Sequence, residues 1–307
     1  MSDGLEYLND LPPVGPAKIH EVAGGGRLGW DEYGDSSGKP VVFYHGWPSS
    51  RLQGRMVHHL AAARGLRVIA VDRPGIGRSS FVANRRLGDF APLLESLLDR
   101  LGIGRFGQLG VSGGGPYVVA GVDYFRERVA GSAVLCGAVP LAGVARAGLH
   151  PVYRLLIPLR RLPAGLFVPV LGLGRWYARG EVSAGSAWRL LLGTLPAADR
   201  EILLGRREVL PVFFESFREG ARQGPAGVLA DAEIYLQDWG IDLGGLCGEI
   251  RYWHGEADGN IPVGLVKEFV ARVGGASLVV DAGEGHFSLA LRRAPAALDF
   301  LQGCAPG

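Results

Sequence analysis

A chain of 307 residues with 48% hydrophobic and 20% charged residues can bury one large core, or a core plus a smaller appended domain, and leaves disorder to its termini. Its net charge of +2, with no basic run interleaved with aromatics, excludes nucleic acid as an expected partner. Cys136, Cys247 and Cys304 lack metal-ligand spacing, and an odd number of scattered thiols suits a reducing compartment better than a disulfide framework, so all three read as inert.

In chain order, the opening residues Met1 to Glu6 carry acids where an export signal needs basic residues and then an apolar run, which makes cytoplasmic residence the expectation. Ile19 to Val22 and Leu28 to Tyr33 have β-character and flank a glycine turn, as in a hairpin. Strand and helix signals then alternate. Val41 to His45 is an apolar, β-branched strand, Arg51 to Arg64 reads as a helix, Arg67 to Asp72 as a strand and Leu87 to Leu101 as a leucine-rich helix. Arg105 to Val111 is a strand, a helix begins near Pro116, and Gly131 to Cys136 is a further buried strand. About a hundred residues rich in Leu, Arg, Gly and aromatics follow before the strand Ile250 to His254. A helix from Val263 to Val273, a strand from Leu278 to Asp281 and a helix from Phe287 to Leu301 close the chain. The pattern predicts an α/β protein: a mostly parallel, eight-stranded twisted sheet with helices on both faces, interrupted by a helical insertion. Residues 1–140 and 246–307 form the expected core, and 141–245 the expected cap. Within that cap, Leu162 to Gly174 is the most membrane-like stretch, but it is too short to span a bilayer and is broken by Pro163 and Pro169.

The chemistry is concentrated at four places. Gly110-Val111-Ser112-Gly113-Gly114 has the G-x-S-x-G form of a nucleophile elbow, in which a strand turns sharply into a helix and presents a serine hydroxyl. Gly34-Asp35-Ser36-Ser37-Gly38 satisfies the same expression, but it leads into a strand and reads as a polar turn. A serine hydroxyl is a poor nucleophile until a base takes its proton, and the base needs a third group to hold its tautomer and stabilise its charge. His286 follows the last strand and Asp258 follows the strand before it. The order Ser112, Asp258, His286 fits groups carried on successive strand ends. Glu256 and Glu284 are the competing acids. The turn His45-Gly46-Trp47-Pro48 can donate a backbone N–H to a developing oxyanion, with Trp47 N–H and Gly113 N–H as the expected pair. His45 reads as a shaping residue of this turn, and His20, His58, His59 and His150 as surface or packing residues.

His45-Gly46-Trp47-Pro48, Asp72-Arg73-Pro74-Gly75-Ile76-Gly77-Arg78-Ser79, Gly110-Val111-Ser112-Gly113-Gly114, Asp258 and Gly285-His286 together resemble the signature blocks of the α/β-hydrolase family, in its order and across residues 17–302. The resemblance implies that the Asp72 to Ser79 block is a tight turn supporting the site and that the insertion after the sixth strand is a lid. It implies a serine hydrolase acting on a carboxylic ester, a thioester or a carbon–carbon bond beside a ketone, with no metal and no organic cofactor. The alternative is a non-hydrolytic relative, a lyase, cyclase or acyltransferase, or a ligand-binding module. Serine at 112 argues against relatives that use an aspartate at the elbow. The expected partner is a small, largely apolar, ester-like molecule. Aromatic residues of the insertion, among them Phe213, Phe214, Phe217, Trp176, Tyr177 and Trp188, suit packing and an apolar pocket. Six arginines at 146, 154, 160, 161, 175 and 179 read either as a solvated face or as a docking surface for an anionic group.

Overall fold

The computed structural model describes residues 4–141, 158, 162–169, 172, 193–206 and 208–304. Eight strands form one sheet: β1 Lys18–Val22, β2 Gly26–Gly34, β3 Lys39–Tyr44, β4 Leu66–Val71, β5 Phe106–Val111, β6 Val129–Leu135, β7 Ile250–Gly255 and β8 Ala276–Asp281. Their order is β1-β2-β4-β3-β5-β6-β7-β8. The first two strands run antiparallel to their neighbours and the rest are parallel.

Burial on both faces explains the apolar, β-branched runs. Val42 and Tyr44 of β3, with Ile69 and Val71 of β4, point into one core cluster, while Val41, Phe43, Val68 and Ala70 point into the other. The first cluster lies under the helices α2 Phe90–Arg100 and α3 Gly115–Phe125; the second lies under α1 His58–Ala62. Among the described residues, the insertion that follows carries the helices α4 Ala197–Gly205, α5 Val209–Gly220 and α6 Pro225–Tyr235. Beyond β7, α7 Val263–Val270 covers the first cluster and α8 His286–Cys304 the second. Trp239, Ile241 and Leu243, which lie within the span assigned to the cap from sequence, pack against the first cluster.

The expected helix from Arg51 to Arg64 is shorter than its periodicity suggests. Arg51–Val57 is a 3₁₀ turn and only His58–Ala62 is α-helical. All seven residues of the turn are buried. The backbone N–H of Arg51 is tied to Asp72 Oδ1 at 2.8 Å, and a Cβ on Gly54 would stand 2.8 Å from that of Ala70. Tertiary pinning to the sheet therefore overrides local helical preference.

The sheet order places the site. The chain passes from β3 to β4 on one side and returns to β5 on the other, so β3 is the point where strand order reverses. Ligand sites in such sheets lie beyond the carboxyl ends of the strands at this point. Tyr44 pairs with Gly110, which sets the turn after β3 beside the elbow after β5. Gly255 pairs with Asp281, which brings the loop after β7 to the turn before α8.

Candidate active site

Ser112 adopts φ +52°, a left-handed conformation that a non-glycine residue takes only when its surroundings impose it. Those surroundings are close. A Cβ on Gly114 would stand 2.1 Å from the carbonyl oxygen of Tyr44, and one on Gly110 2.6 Å from Val118 Cγ2. The elbow is therefore closed to side chains on either side of the serine. The competing Gly34 to Gly38 match is a polar turn instead, in which the Asp35 carboxylate accepts bonds from the N–H and the hydroxyl of Ser37.

The three residues nominated from sequence come together as a hydrogen-bonded chain. His286 Nε2 lies 2.9 Å from Ser112 Oγ, and His286 Nδ1 lies 2.7 Å from Asp258 Oδ2. The backbone N–H groups of Asn260 and Ile261 donate to Asp258 Oδ1 at 2.8 and 2.9 Å. His254 Nε2 lies 2.8 Å from the Ile261 carbonyl and 3.3 Å from Asp258 Oδ2. The alternative acids are occupied or remote: Glu284 pairs with Arg292 at 2.7 Å, and Glu256 is exposed.

Burial opposes charge on both members of the His286–Asp258 pair, and their mutual attraction outweighs it. Burial pushes the His286 imidazole down, but the Asp258 carboxylate beside it drives it well above its ordinary value. Burial likewise raises Asp258, while His286 and the loop N–H groups bring its carboxyl below the usual range. The arrangement stabilises an imidazolium held against a carboxylate, the charge state produced when a base removes a hydroxyl proton.

A cavity of about 390 Å³ opens onto Ser112 and His286. Trp47, Val111, Phe213, Phe214, Phe217 and Phe287 form its apolar wall. Cys136, read as inert, also lines this cavity and lies against His286. Its burial raises the thiol, which keeps it protonated near neutral pH. Among the described residues, the lining carries no lysine or arginine and no carboxylate.

Beneath the turn after β3 lies a charged cluster with no counterpart in the sequence reading. Arg73, fully buried, donates from Nη2 to the Gly46 carbonyl at 3.0 Å and from Nη1 to the His45 carbonyl. Its Nε and Nη2 bond Asp231 of α6 at 3.0 and 2.6 Å. Tyr117, Arg85 and Tyr235 complete the carboxylate's shell, and the single Tyr235 hydroxyl proton is shared between Asp231 Oδ2 at 3.2 Å and the Gly113 carbonyl at 3.1 Å. Burial works against a carboxylate at 231, but the two guanidiniums hold its pKa far below the ordinary range. A second buried carboxylate, Asp199 of α4, accepts from the backbone N–H groups of His286, Phe287 and Ser288 at 2.8–2.9 Å. Sequence reasoning missed Arg73, Asp199 and Asp231 because their partners lie on distant segments. The signal present was Arg73 within the Asp72 to Ser79 block.

That block is a tight turn around a buried carboxylate. Asp72 accepts from the N–H groups of Arg51 and Arg78, and a Cβ on Gly77 would lie 2.1 Å from Asp72 Oδ2. Of the secondary histidines, His20 bonds Ser96 Oγ and His58 accepts the N–H of Gly34. His150, Trp176, Tyr177, Trp188 and the six arginines lie outside the described residues.

Comparison with known proteins agrees with this architecture. A profile of the alpha/beta hydrolase fold family matches residues 39–154. The chain is 35% identical over 127 residues to the dihydrolipoyllysine-residue acetyltransferase component of an acetoin cleaving system from Pseudomonas putida, covering 40% of this chain and 34% of that protein. It is 36% identical over 105 residues to a non-heme haloperoxidase from Rhodococcus erythropolis, covering 34% of this chain and 38% of that one. The aligned regions thus span well under half of these curated relatives. Among solved structures, the esterase RhEst1 from Rhodococcus sp. ECU1013 superposes with a TM-score of 0.68 at 19% identity, covering 94% of this chain and 99% of that chain. The strand order, the elbow and the family match define an alpha/beta hydrolase architecture. The chain has the alpha/beta hydrolase fold, and its residues 39–154 resemble that family's profile.

Proposed function

We propose that the protein is a serine hydrolase that cleaves a carboxylic ester of a largely apolar small molecule. The observation that carries this reading is the chain from Ser112 through His286 to Asp258 at the mouth of an aromatic cavity. His286 takes the proton of Ser112 as the serine attacks the ester carbonyl, and Asp258 holds the imidazole and stabilises its charge. The oxyanion is received by the N–H groups of Trp47 and Gly113, each worth on the order of 3 kcal/mol of transition-state stabilisation. Collapse of the tetrahedral intermediate releases the alcohol, which takes the proton from His286, and leaves an acyl group on Ser112 Oγ. Water, deprotonated by the same histidine, then releases the acid. The esterase name of one structural neighbour and the hydrolase fold support this reading. The helices between β6 and β7, which carry Phe213, Phe214 and Phe217, serve as the cap over the cavity.

The test is labelling of the protein by a fluorophosphonate, read alongside turnover of p-nitrophenyl esters of graded acyl length. Labelling at one serine and hydrolysis of the esters are expected. Labelling without turnover of any ester would favour a non-hydrolytic relative of the same architecture. Because the cavity wall is mostly apolar, kcat/KM should rise a few-fold per added methylene, since each buried methylene contributes roughly 0.8 kcal/mol, and then fall once about 390 Å³ is filled. A flat or inverse dependence would show that the acyl chain does not enter the aromatic cavity.

A further inference from the structure

The insertion between β6 and β7 sends two carboxylates into the core, and each ends on a backbone element beside the reacting atoms. Asp199, 1% exposed, caps the first turn of α8 at the residue that carries the imidazole: its oxygens accept the N–H groups of His286, Phe287 and Ser288. The orientation of that turn sets the direction in which the His286 ring leaves the backbone. Gly285 has its reason here as well, because a Cβ at this position would stand 2.4 Å from the Asp199 carboxyl carbon. Asp231, fully buried, acts at the other side of the site through Arg73. The carbonyl of Gly46 belongs to the same peptide unit as the N–H of Trp47. A guanidinium donating to that carbonyl therefore fixes the plane of the peptide and polarises its N–H toward an incoming oxyanion.

We propose that Asp199 and Asp231 are positioning residues. The first orients the general base, and the second, through Arg73, orients and strengthens the Trp47 oxyanion donor, so that the insertion sets catalytic geometry as well as covering the cavity. Two close backbone approaches show that the insertion is seated tightly enough to do so. A Cβ on Gly227 of α6 would lie 1.9 Å from the Gly75 carbonyl oxygen, and one on Gly220 of α5 2.3 Å from that of Ser49. The inference rests on the serine-hydrolase reading above.

The experiment measures, for the full chain, the rate and the final stoichiometry of fluorophosphonate labelling together with kcat and KM on a p-nitrophenyl ester. Asp199→Ala is expected to label to completion but about 10–100-fold more slowly, with kcat lowered by the same factor and KM little changed. Asp199→Asn, which keeps an acceptor oxygen for the cap, should recover most of the rate. Arg73→Lys keeps the charge but cannot bond both carbonyls and Asp231. It should lower kcat about 10–100-fold and weaken phenylboronic acid, which mimics the tetrahedral adduct, in parallel, with KM nearly unchanged. If Asp199→Ala does not fold, Gly285→Ala displaces the same carboxylate and should give the same slowing. Reduced stoichiometry at an unchanged labelling rate would show a purely structural role and overturn the proposal, as would unaltered kinetics in Asp199→Ala and Arg73→Lys. A wild-type protein that is neither labelled nor active would refute the serine-hydrolase reading itself, a result separable from failure of the variants alone.

Discussion

Ser112→Ala is expected to abolish covalent labelling by a fluorophosphonate and to lower ester turnover by a factor on the order of 10⁴ or more, with the melting temperature nearly unchanged. The hydroxyl is the only group removed. Among the described residues it bonds His286, and alanine tolerates φ +52° no better and no worse than serine, so the strain of the elbow is carried over to the variant. The residual rate should reflect only the oxyanion donors and substrate binding. Labelling that persists in the variant, or that maps to Ser36 in the Gly34 to Gly38 turn, would dismiss Ser112 as the nucleophile.

Asp258→Asn should lower kcat/KM by about 10⁴-fold, because an amide at this position favours the wrong imidazole tautomer and cannot stabilise the imidazolium. Glu256→Gln should change little, since Glu256 is exposed and His286 already has its partner at 2.7 Å. The same variant makes a claim about pH. The base must be neutral to accept the serine proton, so activity falls as pH drops through the His286 pKa. Asp258 holds that pKa well above the ordinary histidine value against the opposing effect of burial. In wild type the acidic limb of kcat/KM therefore lies above about 6.5, the ordinary histidine value, and in Asp258→Asn it should move to lower pH because the main influence opposing burial is gone. A limb that stays in place, or a loss that follows Glu256→Gln instead, would reassign the acid.

Much of the fold was legible in the sequence because its signals are local or strictly periodic. Strands buried on both faces are largely apolar, and β3, β4 and β6 read as mainly apolar runs for that reason. The elbow was legible because a strand-to-helix turn at this pitch admits only glycine at 110 and 114, and both are present. Ser112, Asp258 and His286 could be nominated because each stands directly after a strand, and parallel strands deliver their carboxyl ends to one edge of the sheet. The 3₁₀ turn at Arg51–Val57 could not be foreseen, since nothing in that segment says that Asp72 and Ala70 will hold it.

The sequence by itself determined the alternation of strands and helices, the glycine-bounded turns and the identities of the residues offered to the site. These follow from backbone sterics and from hydrophobic period, which act over a few residues. Only the tertiary structure decided which acid meets His286, since Asp258, Glu256 and Glu284 all offer a carboxylate close to a strand end and are separated by where their loop backbones direct them. It alone decided that Arg73 would lie under the turn after β3 and Asp199 under the first turn of α8. Arg73 and Asp231 are 158 residues apart, and Asp199 and His286 are 87 apart. Buried charges must find partners whatever their separation in the chain, and which partners they find depends on how the insertion folds back over the sheet.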